Sequence, residues 1–337
     1  KEKNMGKKIG IDLGTANTLI YMGGKGIILR EPSVVAVDQL RKRVVAVGGD
    51  AKRMIGKTPG NIVSYKPLKD GVIADFDVTA KMLHSFFNKV NAGGIISRPS
   101  VIICIPYGVT EVERRAVEDA TFEAGAKSVA LIDEPIAAAI GSGLRIAGAR
   151  GSMIVDIGGG TTEVAVISLG GIVISHSLRA AGHQLDEAIV QFMKQEYKIL
   201  IGDSTAEALK KNIGSVHPSK DRGEMEIRGR NLRTGLPAVM TVNSSHIRAA
   251  MSERVEQIIN TIHQALENTP PELSADIFDF GIMLAGGGAL LGGLPDLITE
   301  RTGVRVTVAK KPLDSVALGI GRVIDGNYND VVRYRAR

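Results

Sequence analysis

The sequence contains no tryptophan, and aromatic residues make up only 4% of its 337 residues. A hydrophobic core must therefore be built mainly from Ile, Val, Leu, Ala and Met, for which a hydrophobic fraction of 44% is sufficient. Basic residues are not interleaved with aromatic ones, as they would be on a surface that stacks nucleic-acid bases. We expect a soluble globular protein of one large domain or two ordinary ones, without a nucleic-acid partner.

Cysteine is nearly as rare, since the single copy, Cys104, lies within the apolar run 101–105. A disulfide within the chain is therefore impossible, which is typical of a protein from a reducing compartment. We expect Cys104 to be a small buried core residue.

Long hydrophobic runs are missing as well. No apolar segment that could act as a signal peptide follows the basic residues 1–8, and the uncharged stretch 281–295 is shorter than the ~20 residues of a membrane-spanning helix. We expect a cytoplasmic protein that meets a membrane at most with its surface. The net charge of +6 indicates either an ordinary solvated surface or a weak attraction to anionic membranes.

Strand and helix patterns alternate along the chain. The apolar run 101–105 predicts a strand, and residues 110–124 predict a helix whose first turn carries a capping box formed by Thr110 and Glu113. A second strand is predicted at 128–132. This alternation favours an α/β fold.

An internal repeat is the most informative feature of the sequence. Segment 9–15 resembles segment 154–162: in each, an apolar strand ends in an aspartate, Asp12 or Asp156, and a glycine turn with hydroxyl side chains follows. Another strand pattern comes after each turn. Two such units about half a chain apart predict two similarly built lobes.

Both turns have the composition of an anion-binding loop. Glycine permits the backbone conformations that point successive N–H groups at one spot. Two such turns could hold a polyphosphate from both sides, which would bring Asp12 and Asp156 close together. Their repulsion would then require a cation, and Mg²⁺ fits because it prefers oxygen ligands and bridges phosphates. One Asp-Gly turn alone would be weak evidence, so the hypothesis rests on the matched pair.

A third glycine-rich segment, at 286–288, also follows a strand pattern. Without side chains at these positions, a flat nucleoside could approach the backbone closely. A flexible turn without a ligand is the alternative.

Segments distributed over nearly the whole chain resemble the MreB family of bacterial actins. In chain order they are Asp12-Leu-Gly-Thr-Ala-Asn17, Glu31-Pro-Ser-Val34, Lys69-Asp-Gly-Val-Ile-Ala-Asp75, Asp156-Ile-Gly-Gly-Gly-Thr-Thr-Glu163, Thr234-Gly-Leu-Pro237, Asn268-Thr-Pro-Pro-Glu-Leu273 and Gly286-Gly-Gly-Ala-Leu-Leu291. The combination is specific, whereas the two aspartate turns alone would fit any actin-like ATPase, including sugar kinases and Hsp70-type chaperones.

The resemblance implies an α/β, actin-like ATPase fold of two lobes, each with a mixed sheet flanked by helices, and a nucleotide in the cleft between them. Lobe I is expected at 1–145 plus 315–337, with a small subdomain at about 33–66. Lobe II is expected at 146–314, with a small subdomain at about 181–246.

The resemblance also implies ATP or ADP with Mg²⁺ as ligands, and it assigns the residues that bind them. The first phosphate loop would be formed by Asp12, Gly14, Thr15, Ala16 and Asn17, and the second by Asp156, Gly158, Gly159, Gly160 and Thr161. Mg²⁺ would be held by Asp12 and Asp156, through water. The nucleoside would be bound by Glu207, Lys210, Gly286, Gly287, Gly288 and Ala289.

For hydrolysis, the resemblance points to Glu134 as the residue that orients or deprotonates the attacking water, with Thr161 beside it. From the residues alone, Glu134 is equally a helix N-terminal acid favoured by the helix dipole, and Glu207 with Lys210 is an exposed ion pair. His183, Ala285 and Asp133 depart from the residues usual in the family, which bears on nucleotide affinity and turnover.

The function implied is an ATP-dependent, filament-forming cytoskeletal protein that hydrolyses ATP, binds the inner face of the cytoplasmic membrane and supports cell shape. Its partners would be further copies of itself, an anionic membrane surface and the cell-wall elongation machinery. Ile95 and Ile96, in the loop 91–99, are expected to enter the bilayer, although both could instead pack beneath the loop.

Two rival functions remain on the same fold. A sugar-kinase-like phosphotransferase would need a sugar pocket and a base for the substrate hydroxyl, and no such pattern is found. A chaperone ATPase would need a peptide-binding domain, for which the sequence beyond the last matching segment offers little length. We therefore expect the filament protein.

Overall fold

The computed structural model describes residues 7–91, 98–326, 328 and 333–336. Its strands, numbered in chain order, are β1 (Lys8–Leu13), β2 (Asn17–Met22), β3 (Gly26–Pro32), β4 (Val35–Asp38), β5 (Arg43–Val47), β6 (Ile62–Tyr65), β7 (Leu68–Lys69), β8 (Val72–Ile73), β9 (Ser100–Ile105), β10 (Ser128–Asp133), β11 (Ser152–Ile157), β12 (Thr162–Ser168), β13 (Gly171–Leu178), β14 (Ile199–Leu200), β15 (Glu224–Asn231), β16 (Pro237–Asn243), β17 (Ile282–Ala285), β18 (Val306–Val308) and β19 (Arg333–Ala336).

The helices alternate with these strands along the chain. They are α1 (Gly49–Met54), α2 (Phe76–Asn91), α3 (Glu111–Glu123), α4 (Glu134–Ser142), α5 (Gly182–Glu196), α6 (Asp203–Ile213), α7 (Ser244–Glu267), α8 (Pro271–Phe280), α9 (Leu294–Thr302) and α10 (Ser315–Ile324). Short 3-10 helices lie at Pro218–Lys220, Gly287–Leu290 and Pro312–Asp314.

The chain divides into two compact units. Unit 1 comprises 1–149, 167–172 and 313–337, and unit 2 comprises 150–166 and 173–312. The main sheet of unit 1 has the strand order β19-β10-β9-β1-β2-β3. Within it, β1, β9 and β10 run parallel, whereas β2 pairs antiparallel with β1 and β3 pairs antiparallel with β2. A smaller sheet, β5-β4-β6, belongs to the same unit.

The main sheet of unit 2 has the order β13-β12-β11-β17-β18, with β11, β17 and β18 parallel. The strand that carries the aspartate therefore has the same position in both sheets, with the strand after its turn on one side and two parallel strands on the other. A second sheet, β14-β15-β16, completes unit 2. The two units have separate hydrophobic cores, built largely from Ile, Val, Leu and Met side chains of these strands and the helices that cover them.

The local predictions agree with the structure. The strands predicted at 101–105 and 128–132 are β9 and β10, and the helix predicted at 110–124 is α3. Thr110 caps α3 and forms the predicted capping box with Glu113. Cys104 is buried, as expected. Mixed sheets flanked by helices confirm the predicted α/β class.

Candidate functional site

The first turn, residues 14–16 between β1 and β2, is held by a buried serine. The Ser33 hydroxyl donates to the Gly14 carbonyl at 2.6 Å and lies 2.9 Å from the Thr18 hydroxyl. The Ser33 amide donates to the Ala16 carbonyl at 3.0 Å. The side chain and the backbone amide of one fully buried residue thus fix both ends of the turn by hydrogen bonds.

The polar side chains around the first turn differ in exposure. Asp12 is half-buried, and the Cys104 thiol donates to its Oδ1 at 3.7 Å, because β1 and β9 lie side by side in the sheet. Thr15 is buried and its hydroxyl accepts the Gly71 amide at 3.1 Å. Asn17, at the start of β2, is exposed.

Glu134 is the first residue of α4 and directly follows β10. Because β1, β9 and β10 are parallel, their carboxyl ends meet at one edge of the sheet. Two strand spacings separate β1 from β10, and Glu134 lies two residues beyond the level of Asp12, so their backbones are about 12 Å apart. Fold topology therefore brings these two carboxylates to the same edge. A dipole-favoured acid at a helix start would occupy the same position.

The second turn, residues 158–161 between β11 and β12, is held by backbone groups. The Gly158 amide donates to the Thr161 carbonyl at 2.9 Å, which closes the turn on itself. From the start of α5, the Gly182 amide donates to the Gly158 carbonyl at 3.1 Å and the His183 amide donates to the Gly159 carbonyl at 2.8 Å. The second turn is thus hydrogen-bonded to the N-terminus of α5.

Asp156, near the end of β11, is only 4% exposed. Burial raises the pKa of this carboxyl from its ordinary 3.8 to about 7, because the ionised form loses hydration. Neighbouring strand β17 pairs Ala285 with Asp156, and Gly286 follows with a φ of +76°. A Cβ on Gly286 would lie 2.3 Å from Asp156 Oδ1, so only glycine permits this approach.

The two nucleoside candidates on α6 have different partners. Lys210 Nζ lies 2.8 Å from Asp186 Oδ1 and donates to the Gly182 carbonyl at 2.5 Å. Glu207 pairs with Lys211 at 2.6 Å. In the third glycine-rich segment, Gly287 begins a 3-10 helix in which Ala289 is buried.

Two residues at these turns were missed by the sequence analysis as functional residues. Ser33 lies within a segment that carried the family resemblance, so its position was marked although its role was not. Asp186 had no sequence signal, because its partner Lys210 lies on a different helix. Ile95 and Ile96 lie outside the described residues.

The described part of the chain contains no group of three or more His, Cys, Asp or Glu side chains that could hold a metal ion without other ligands. Among the same residues, no helix is both long enough and apolar enough to cross a membrane.

Comparison with solved structures defines the class of protein. MreB5 of Spiroplasma citri bound to AMPPNP superposes with a TM-score of 0.91 and 37% identity, over 96% of this chain and 98% of that one. The same protein bound to ADP gives a TM-score of 0.90 and 36% identity, over 96% and 100%. The MamK double helical filament, at 23% identity and a TM-score of 0.80 over 95% and 98%, shares the fold. The fold is therefore actin-like, as expected.

Sequence comparison then gives the family. The chain belongs to the MreB/Mbl protein family, whose model matches residues 6–331. It is 52% identical to the cell shape-determining protein Mbl of Bacillus subtilis over 95% of this chain and 96% of that protein. It is also 52% identical to the cell shape-determining protein MreB of Escherichia coli, over 94% and 93%. The chain is thus a member of a bacterial actin family of cell shape-determining cytoskeletal proteins.

Proposed function

We propose that this chain binds ATP or ADP with Mg²⁺, hydrolyses ATP slowly, and polymerises into filaments at the inner face of the cytoplasmic membrane. The carrying observation is the repeated strand–aspartate–turn unit, which occurs once in each unit at the same position of the main sheet. The nucleotide-bound states of MreB5, with ADP and with AMPPNP, support nucleotide binding here.

In the proposed nucleotide site, backbone amides of the two turns bind the phosphates, with side chains of Thr15, Asn17 and Thr161 as further hydrogen-bonding groups. The α6 residues Glu207 and Lys210 and the segment 286–289 bind the nucleoside. At Gly286 and Gly288 the backbone packs closely against β11, since a Cβ at either position would collide with Asp156 or Ile157.

Asp12 and Asp156 would hold Mg²⁺, through water. The donor set fits this ion, because both candidates offer carboxylate oxygens and burial of Asp156 favours a cation beside its ionised form. When bound, Mg²⁺ neutralises the charge that develops on the phosphate oxygens.

Glu134 is the proposed base for hydrolysis. Its carboxylate would accept a proton from the attacking water, and the Thr161 hydroxyl would position that water. Its place at the sheet edge shared with Asp12 supports this role.

The test of the catalytic proposal compares two acidic residues, each of which is the first residue of a helix. Glu134→Ala should retain nucleotide binding but lose turnover by about 100-fold, the usual loss of a general base. Glu111→Ala removes the exposed first acid of α3, which pairs with Arg115, and should leave turnover near the parent value. Asp12→Ala and Asp156→Ala should abolish Mg²⁺-dependent phosphate release. Unchanged turnover in Glu134→Ala would make this residue a helix-end acid only, and rapid sugar phosphorylation would favour the phosphotransferase alternative.

Polymerisation would follow from heterologous, end-to-end contacts, which generate open filaments when they do not close into a ring. With ATP and Mg²⁺ the protein should form sedimentable polymer that electron microscopy resolves as filaments. Persistently monomeric protein under all nucleotide and lipid conditions would contradict this proposal.

Membrane attachment is proposed through Ile95 and Ile96. Burying two Ile side chains could supply about 3–6 kcal/mol before ordering costs, and a filament multiplies such weak contacts. Replacing both with Ser should reduce co-sedimentation with anionic liposomes while leaving ATP turnover near normal. If binding is undiminished, the basic surface becomes the better candidate for the anchor.

A further inference from the structure

We propose that Asp186 is a positioning residue of the nucleotide site: through Lys210, it holds the N-terminus of α5 against the second turn. This inference rests on the proposed function, because its purpose is to fix the turn that would bind phosphate. The contacts that carry it all lie within unit 2.

The first step is the orientation of the peptide groups in the second turn. Gly158 and Gly159 direct their carbonyls at the amides of Gly182 and His183, at 3.1 and 2.8 Å. All peptide bonds here are trans, and in a trans peptide the N–H points opposite to the preceding carbonyl. The amides of Gly159 and Gly160 therefore point away from α5. Two successive amides on one side of a turn form an anion-binding concavity.

The second step concerns what keeps α5 in place. Gly182 begins α5, and its carbonyl accepts a hydrogen bond from Lys210 Nζ of α6. Asp186 is four residues further along α5, hence on the same face, and its carboxylate contacts the same Nζ at 2.8 Å. One ammonium group thus clamps the first turn of α5 at two points.

Because the Lys210 ammonium group is buried, it needs the Asp186 carboxylate as a charged partner. The side chains of Lys210 and Asp186 are only 14% and 12% exposed. Without a negative partner, an ammonium group in these surroundings would be poorly solvated, and the flexible lysine stem would let it swing toward water or toward a bound phosphate. The hold on Gly182 would then be lost, although no residue that touches the turn had been changed.

The same contact brings Gly182 close to both the turn and the lysine. A Cβ at this position would lie 3.2 Å from the Gly158 carbonyl oxygen and 3.5 Å from Lys210 Nζ. The turn, the start of α5 and the lysine are therefore closely packed around Gly182. Because α6 also carries Glu207, the Lys210–Asp186 pair links the proposed nucleoside helix to the proposed phosphate turn.

The test uses Asp186→Asn in the full chain, since this change keeps the shape and removes the charge. Its matched control is Asp276→Asn, because the Asp276 carboxylate accepts the Gly151 amide at 2.7 Å just before the start of β11, at the opposite end of the strand from the second turn. Asp186→Glu serves as the conservative variant that keeps the charge. Asp186→Ala removes the side chain and is added only if it folds.

The first measurement is hydrogen exchange of nucleotide-free protein on peptides that contain Gly182 and His183. Exchange in Asp186→Asn should be about tenfold faster or more, as expected for losing a hydrogen bond with a charged group. The control should exchange at the parent rate in these peptides, and Asp186→Glu should recover part of the protection. Equal exchange in Asp186→Asn and the control would overturn the proposal.

The second measurement is the affinity for AMPPNP and ADP. Both should weaken by about tenfold in Asp186→Asn relative to the control, since both ligands need the second turn. Faster exchange with unchanged affinity would also overturn the proposal, because Asp186 would then stabilise α5 without positioning the site. If the parent protein itself binds neither nucleotide, the proposed function fails, whereas hydrogen exchange still tests the clamp.

Discussion

The first and second turns both follow an aspartate with glycine and threonine and have the same place in their sheets, but they are held by different groups. Ser33 supports the first turn with its hydroxyl and its amide, and the neighbouring Asp12 is half-buried. The second turn is seated on the backbone of α5, and Asp156 is almost completely buried. The repeat therefore preserves strand, aspartate and turn, whereas the surroundings determine how deeply each aspartate is buried and which groups fix each turn.

This difference indicates that Asp12 and Asp156 contribute differently to the proposed site. A buried carboxyl with a raised pKa holds its charge at a cost that a cation can offset. The half-buried Asp12 retains more contact with water. The second turn should therefore be the one whose stability depends most strongly on pH and on Mg²⁺.

The largest expected effect is that of Asp156→Asn on the nucleotide-free protein. The folded-state pKa of Asp156 is raised from 3.8 to about 7, so between these values the folded state binds a proton that the unfolded state has lost. The free energy of unfolding therefore falls as pH rises from about 4 to about 7, and the full penalty, at most about 4 kcal/mol, remains above that. Asp156→Asn should be more stable than the parent at pH 8 and nearly equal to it at pH 4.

This prediction is measured by thermal unfolding at pH 4–8 in the presence of a chelator, as the difference between variant and parent. Asp12→Asn is the matched control, because it changes the corresponding but less buried aspartate of the other unit. A pH-independent difference for Asp156→Asn would mean that the buried carboxyl is not the source of the penalty.

A smaller effect is expected when glycines near the two aspartates are replaced by alanine. Gly286 has a φ of +76°, and a Cβ there would lie 2.3 Å from both Asp156 Oδ1 and the Ile157 carbonyl oxygen. Gly286→Ala should therefore lower the free energy of unfolding by about 3 kcal/mol, from backbone strain and overpacking together. At Gly14 a Cβ would meet the Asn17 carbonyl at 2.7 Å without a positive φ. Gly14→Ala should cost about 1–2 kcal/mol.

Gly303→Ala separates the two contributions in these glycine variants. Gly303 has a φ of +71° and nothing within 4 Å of the position of a Cβ, so its variant measures the backbone strain alone. Denaturant unfolding of all three variants gives the comparison. If Gly286→Ala costs no more than Gly303→Ala, the close packing around Asp156 is looser than its geometry implies.

Sequence reasoning went furthest where a local rule applies. The α3 helix followed from its capping box, β9 and β10 from apolar runs, and the paired turns from the internal repeat. These features depend on neighbours along the chain, and a sequence displays such neighbours directly. The two-lobed arrangement and the α/β class follow from the repeat and from the alternation of strands and helices.

Contacts between distant elements could not be predicted in the same way. Nothing in the sequence indicates that Lys210 of α6 contacts Asp186 of α5, because ion pairing depends on which helix faces pack together. Nor does composition reveal that Asp156 is more buried than Asp12, since both end a similar strand. The roles of Glu134, Glu207 and Lys210 rest on family resemblance and stay predictions.

The smallest expected effect compares two buried serines, one in each unit. Ser33 Oγ donates to the Gly14 carbonyl and lies next to the Thr18 hydroxyl, whereas Ser152 Oγ, on β11, has no hydrogen-bond partner among the described residues. Ser33→Ala would leave two buried polar groups without that partner and should lower the free energy of unfolding by about 1–2 kcal/mol. Ser152→Ala removes a buried hydroxyl that gains nothing from folding, so it should be neutral or slightly stabilising. Thermal unfolding of both variants, with AMPPNP affinity as a second readout, tests whether the hydroxyl really fixes the first turn. Equal stability losses would show that the serines act by volume alone, and the proposed difference in support between the two turns would then be wrong.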